Sequence, residues 1–132
     1  MLALGAGLDA YCKAPSVVYL EGELGAGKTT LVRGFLRSLG YQGPVKSPTY
    51  TLVESYFFDK QVVHHFDLYR LHDPEELSLM GIRDYFHANA LVFIEWPQQG
   101  LLFLPSPTLR CQIECVEGGR VVKIQAFQLI KK

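Results

Sequence analysis

Apolar residues recur along the chain in three rhythms. Val17 to Glu21 holds an unbroken apolar run, VVYL, too short for a helix and suited to a buried strand. From Thr29 to Leu39 the rhythm lengthens: Leu31, Phe35 and Leu39 stand four apart with Val32 and Leu36 beside them, which predicts one apolar helix face, and Gly40 predicts its end. Thr51 to Phe58 and Gln61 to Tyr69 are rich in aromatic and β-branched residues and meet near Asp59-Lys60, a predicted hairpin. At Asp73-Pro74-Glu75-Glu76 an aspartate cap, a proline and first-turn acids predict one or two short helices running through Phe86. Leu91 to Ile94 is a fully apolar strand that ends at Glu95. Beyond it, LRCQIECVEGGRVVKIQAF (109–127) alternates on both sides of Gly118-Gly119, a second hairpin.

Strands alternating with helices predict a three-layer α/β fold, and the two hairpins predict a mixed, partly parallel sheet. At 132 residues the chain is expected to be a single domain, 1–132. Ligands in such sheets bind beyond the carboxyl ends of the strands, so the end of each buried strand is where chemistry is expected.

The first strand runs directly into GELGAGKTT, Gly22 to Thr30. Gly22, Gly27, Lys28 and Thr29 occupy the fixed places of G-x-x-x-x-G-K-[ST], and the strand-before, helix-after context is that of a P-loop. The glycines at 22, 25 and 27 permit close backbone approach. Successive amides of Gly22-Glu23-Leu24-Gly25-Ala26-Gly27 can therefore converge on phosphate oxygens at the positive end of the following helix. Lys28 adds an ammonium for the β and γ phosphates, and the Thr29 hydroxyl suits a magnesium ion that prefers substrate oxygens and water; Thr30 is a secondary candidate. The pattern predicts a nucleoside triphosphate and Mg2+ as ligands. A glycine turn that only caps a helix needs neither the lysine nor three glycines.

Composition narrows the function class. Hydrophobic residues make up 48% and charged residues 20%, a folded globular balance, and no apolar run approaches the roughly 20 residues of a membrane helix. MLALGAGLDAY lacks the basic segment and long apolar core of a secretory signal, so the cytoplasm is the expected compartment. Thirteen basic and thirteen acidic residues cancel, and no basic cluster stands out before Lys131-Lys132. Direct nucleic-acid binding lacks an electrostatic drive, and any RNA would be reached through a partner. Cys12, Cys111 and Cys115 show no CxxC spacing; Cys111 and Cys115 alternate in phase with Leu109 and Ile113, so both are expected in the core.

Two acids end apolar strands, Asp67 after VVHHF and Glu95 after LVFI. Either could hold magnesium through its water shell or position an attacking water; we assign Asp67 to the metal and Glu95 to the water, and keep Glu95 in the candidate metal set. His64 and His65 point to opposite faces and cannot readily chelate one ion, whereas His65 shares a face with Asp67 and is suited to a supporting hydrogen bond. Lys46-Ser47-Pro48-Thr49-Tyr50 lies where P-loop proteins carry a γ-phosphate-sensing segment, with Thr49 as a nucleotide contact; a plain turn is the rival reading. Trp96 would stand at the mouth of the pocket, and Arg70 is a candidate arginine finger in cis.

With these segments in hand, the chain resembles the TsaE family, also called YjeE, of small bacterial P-loop ATPases. GELGAGKTT, SPTYTLVESY, HHFDLYRL and FIEWP follow one another in the family's order, from about Val17 to the end. The resemblance implies an ATPase that works with TsaB-like and TsaD-like proteins in forming threonylcarbamoyladenosine on tRNA, reaching tRNA through that complex. It implies that Lys28 and Thr29 bind triphosphate and magnesium, that Ser47, Pro48 and Thr49 form a switch-like loop, and that Asp67, Glu95 and Trp96 line the active centre. Relatives carry more residues before the first helical segment than MLALGAGLDAYCKAP supplies. The expected activity is slow ATP hydrolysis stimulated by partners. The alternatives are a small-molecule kinase, for which little chain remains to build a lid and acceptor pocket, and a nucleotide-gated binding module without turnover. A GTPase would need an Asn-Lys-x-Asp segment, which the sequence lacks.

Overall fold

The computed structural model describes residues 1–127. Helix α1 (Leu2–Gly7) leads through a 3-10 turn into β1 (Ser16–Gly22), followed by α2 (Lys28–Ser38), β2 (Val53–Phe57) and β3 (Val62–Asp67). Then come α3 (Glu75–Leu79), a 3-10 turn at Ile82–Tyr85, β4 (Ala90–Glu95), β5 (Leu109–Val116) and β6 (Gly119–Ala126). Each predicted strand and helix is present. The sheet has six strands in the order β2-β3-β4-β1-β5-β6. Its central pairings, β3 with β4, β4 with β1 and β1 with β5, are parallel, and the two hairpins add antiparallel strands at the edges.

The burial pattern explains the layering. Strands β3 and β4 are buried at every position, as expected of parallel strands covered on both faces. On one face Val18, Leu20, Leu91 and Phe93 meet Leu31, Phe35 and Leu36 of α2, with Phe35 and Phe93 edge to face at 5.1 Å. On the other, Tyr19, Phe66, Val92 and Ile94 are covered by Leu77 of α3 and Ile82 of the following turn. At Asp73 the backbone amide of Glu75 donates to the carboxylate at 3.0 Å, fixing the entry to α3.

Helix α1 lies outside the predicted elements. Its backbone comes into direct contact with that of α2: a Cβ at Gly5 would lie 2.0 Å from the Leu31 carbonyl oxygen, and one at Gly34 would lie 2.2 Å from that of Leu2. A stretch this rich in glycine and alanine lacks an apolar stripe, and its small residues are what let the two helices touch.

One core assignment is corrected. Cys12 and Cys111 are buried, but Cys115 is exposed. Strand β1 ends at Gly22 opposite Ile113, so Glu114 to Val116 run past the covered part of the sheet and alternation there no longer means burial. Burial pushes the Cys12 thiol up to about 12 and Cys111 up to about 11. A thiol reagent acting on the native protein should therefore modify Cys115 at once, and the other two only after denaturation. Rapid reaction of all three in the folded state would contradict this packing. Lys131-Lys132, the one basic pair noted in the sequence, falls outside the described residues. Among the described residues no helix is long and apolar enough to cross a membrane.

Candidate nucleotide site

The site is built where β1, β3 and β4 end together. The register aligns Asp67 with Glu95 across β3 and β4, and Glu95 with Leu20 across β4 and β1, so both acids and the start of the glycine loop share one edge. Alternation turns Asp67 and Glu95 to the same face as Val63, Leu91 and Phe93, toward α2.

The loop from Glu23 to Gly27 closes on itself through Ala26 N–H donating to Glu23 O at 3.0 Å, and Gly27 then starts α2 with Leu31 N–H donating to its carbonyl at 2.9 Å. Gly27 has φ +110°, a conformation costly for any residue with a Cβ. Gly22 is needed for a different reason, because a Cβ there would come 2.7 Å from the Ile113 carbonyl oxygen of the neighbouring strand. No side chain caps α2 and no acid occupies its first turn, so the first amides keep their donors and the positive helix end free for an anion.

Lys28 is only 4% exposed. Its Nζ donates to Gly22 O at 2.6 Å and lies 4.0 Å from the centre of the Trp96 ring. Burial lowers its pKa, with Glu95 and then Asp67 pulling the other way. Among the described residues no carboxylate lies within ion-pair distance of it, and a carbonyl and an aromatic face hold the ammonium directly. Trp96 reaches that position through a left-handed backbone, φ +59°, directly after Glu95, and its indole also packs against the Tyr69 ring at 5.0 Å. Such a backbone in a bulky residue costs on the order of 1 to 3 kcal/mol, a strain characteristic of functional sites.

The acids are differently engaged. Glu95 Oε2 accepts from Thr29 Oγ1 at 2.9 Å and from His65 Nε2 at 2.5 Å. Asp67 Oδ1 accepts from Tyr69 N–H at 3.0 Å, and Oδ2 accepts from Thr49 Oγ1 at 3.3 Å. Burial raises the Asp67 pKa, opposed by the Tyr69 amide and reinforced by the charge of Glu95. Ser47 and Thr49 hydroxyls are 2.7 Å apart, which ties the Lys46–Tyr50 segment to Asp67. The hydroxyl expected to serve magnesium thus contacts Glu95, because β4 adjoins β1 whereas β3 lies one strand further out.

Of the remaining candidates, Glu23, Leu24 and Gly25 are exposed on the loop, Ala26 is buried beneath it, and Thr30 is half-buried with no side-chain hydrogen bond among the described residues. Arg70 is directed elsewhere: its guanidinium lies 4.6 Å over the Tyr50 ring. His64 faces away, its Nδ1 2.7 Å from Ser55 Oγ, and burial pushes it down to about 4. Sequence reasoning missed the bond between His65 and Glu95 and the Tyr69–Trp96 stack, both of which depend on strand neighbours that local periodicity does not reveal.

A strand, a glycine loop and an uncapped helix, set beside two strand-end carboxylates at the edge of a mixed sheet, give the chain an α/β fold of the P-loop NTPase type. The family model described as "Threonylcarbamoyl adenosine biosynthesis protein TsaE" matches residues 1–122. The tRNA threonylcarbamoyladenosine biosynthesis protein TsaE of Haemophilus influenzae is 52% identical over 110 residues, 83% of this chain and 70% of that protein. Its counterpart in Bacillus subtilis is 40% identical over 110 residues, covering 83% and 67%. The crystal structure of YdiB from Bacillus subtilis superposes with a TM-score of 0.77 at 29% identity, spanning 95% of this chain and 77% of that one. The chain belongs to the TsaE family and, with it, to the proteins of tRNA threonylcarbamoyladenosine biosynthesis.

Proposed function

We propose that the chain is a single P-loop ATPase domain that binds ATP with Mg2+, hydrolyses it slowly alone, and supports TsaB-like and TsaD-like partners in modifying tRNA held by their complex. The observation that carries this reading is the buried Lys28 ammonium, without an ion pair among the described residues, beside the uncapped start of α2. A polyphosphate supplies the missing counter-charge and the acceptors for the free amides.

In this reading the amides of Gly22 to Lys28 cradle the phosphates, Lys28 turns from Gly22 O to the β and γ oxygens, and Thr30 and Thr49 border them. The oxygen donors Thr29, Glu95 and Asp67 fit a hard cation. That ion supplies charge neutralisation at the phosphates. Glu95, anchored through Oε2, orients the water, and Asp67 holds the Thr49 loop while contributing to the metal shell. Trp96 closes one side. With Arg70 stacked on Tyr50, an arginine from a partner is the expected source of stimulation; in related NTPases such a residue raises the rate about a thousandfold or more.

Glu95→Gln tests the reading. The amide keeps the shape and the oxygen that Thr29 and His65 address, so ATP affinity should stay within about threefold, while hydrolysis falls by about a hundredfold or more. A nucleotide-gated module without turnover would instead leave tRNA modification in the reconstituted mixture unchanged by this substitution.

A further inference from the structure

We propose that His65 is a positioning residue that holds the Glu95 carboxylate in its working orientation, an inference that rests on the nucleotide reading above. The His65 side chain is fully buried, and its Nε2 lies 2.5 Å from Glu95 Oε2. Among the described residues its other nitrogen, Nδ1, has no hydrogen-bond partner. A buried imidazole with one orphaned nitrogen is a poor packing choice, because an apolar side chain of similar volume would fill the same space without stranding a polar atom. The contact with Glu95 is what the imidazole supplies and a hydrocarbon would not. Facing a carboxylate oxygen, which only accepts, Nε2 is the donor of this hydrogen bond.

The geometry gives this bond a specific task. Glu95 Oε2 receives both His65 and Thr29, so the carboxylate is pinned by one oxygen and Oε1 is left for ligands. Thr29 also serves the proposed metal, so of the two tethers only His65 belongs wholly to the protein frame. It is carried by β3, which is paired along its length with the strand that bears Glu95. Thus β3 fixes Glu95 against rotation at the point where β4 gives way to the strained Trp96 turn.

The test compares His65→Leu with His65→Gln, whose terminal amide can donate from near the Nε2 position. In the folded variants, His65→Leu should lower kcat about a hundredfold, the scale of a misplacement of about 1 Å, with KM for ATP within about threefold of wild type. His65→Gln should recover at least about a third of the wild-type kcat. Wild-type kcat in the leucine variant, or no advantage of glutamine over leucine, would overturn the proposal. Should His65→Leu fail to fold, nitrogen-15 NMR of the wild-type chain decides: a slowly exchanging, downfield Nε2 proton that moves in Glu95→Gln supports it, and an imidazole protonated on Nδ1 alone overturns it. A wild-type chain that neither binds nor hydrolyses ATP sinks the nucleotide reading, while the NMR result still decides whether His65 anchors Glu95.

Discussion

Lys28→Ala should raise the dissociation constant for ATP by at least about a hundredfold, a loss of roughly 2.7 kcal/mol. Charge-assisted hydrogen bonds contribute about 1.5 to 3 kcal/mol each, and the ammonium that would make them is shielded from solvent in the folded chain. The fold itself should survive. Burial already works against the charged form of Lys28, and among the described residues no carboxylate within ion-pair distance loses a partner when it goes. Equilibrium titration with a fluorescent ATP analogue, alongside near-UV circular dichroism, separates the two effects. Unchanged affinity in a folded Lys28→Ala protein would contradict the assignment of this lysine to the phosphates.

The second large effect concerns stability. Gly34→Ala places a methyl group 2.2 Å from the Leu2 carbonyl oxygen, a backbone atom that moves only with α1. Overpacking of this kind costs about 3 kcal/mol, which for a domain of this size is a fall in Tm of about 10 °C. Gly7→Ala is the matched control. A Cβ there meets nothing within 4 Å, so this change in the last turn of α1 should be neutral or stabilising by about 0.5 kcal/mol. Equal melting temperatures for the two variants would show that α1 does not pack on α2 through its backbone.

Much of this architecture was legible because it is local. The switch from the apolar run of β1 to the fourfold spacing of α2, with glycines between, needs only adjacent residues, and it marked the loop, Lys28 and Thr29. The fully buried β4 announced Glu95 as its last residue in the same way. What local periodicity withholds is which strands are neighbours. Which hydroxyl meets which acid follows from strand order: β4 is the strand beside β1, so Thr29 meets Glu95, and Thr49 from the loop before β2 meets Asp67. His65 was read against Asp67, two residues along its own strand; its hydrogen bond crosses to β4 instead. Cys115 shows the converse failure, since alternation persists in β5 after the sheet loses its cover. Helix α1 escaped notice because the residues that allow its close contact with α2, Gly5 and Gly34, carry no side-chain pattern to read.

Whether the loop between β1 and α2 grips a nucleoside triphosphate is decided by titration calorimetry of the wild-type chain with ATP in the presence of magnesium. Saturable binding at one site per chain is expected, largely abolished by Lys28→Ala. A well-folded wild-type sample that takes up no ATP, alone or mixed with TsaB-like and TsaD-like proteins, would contradict it.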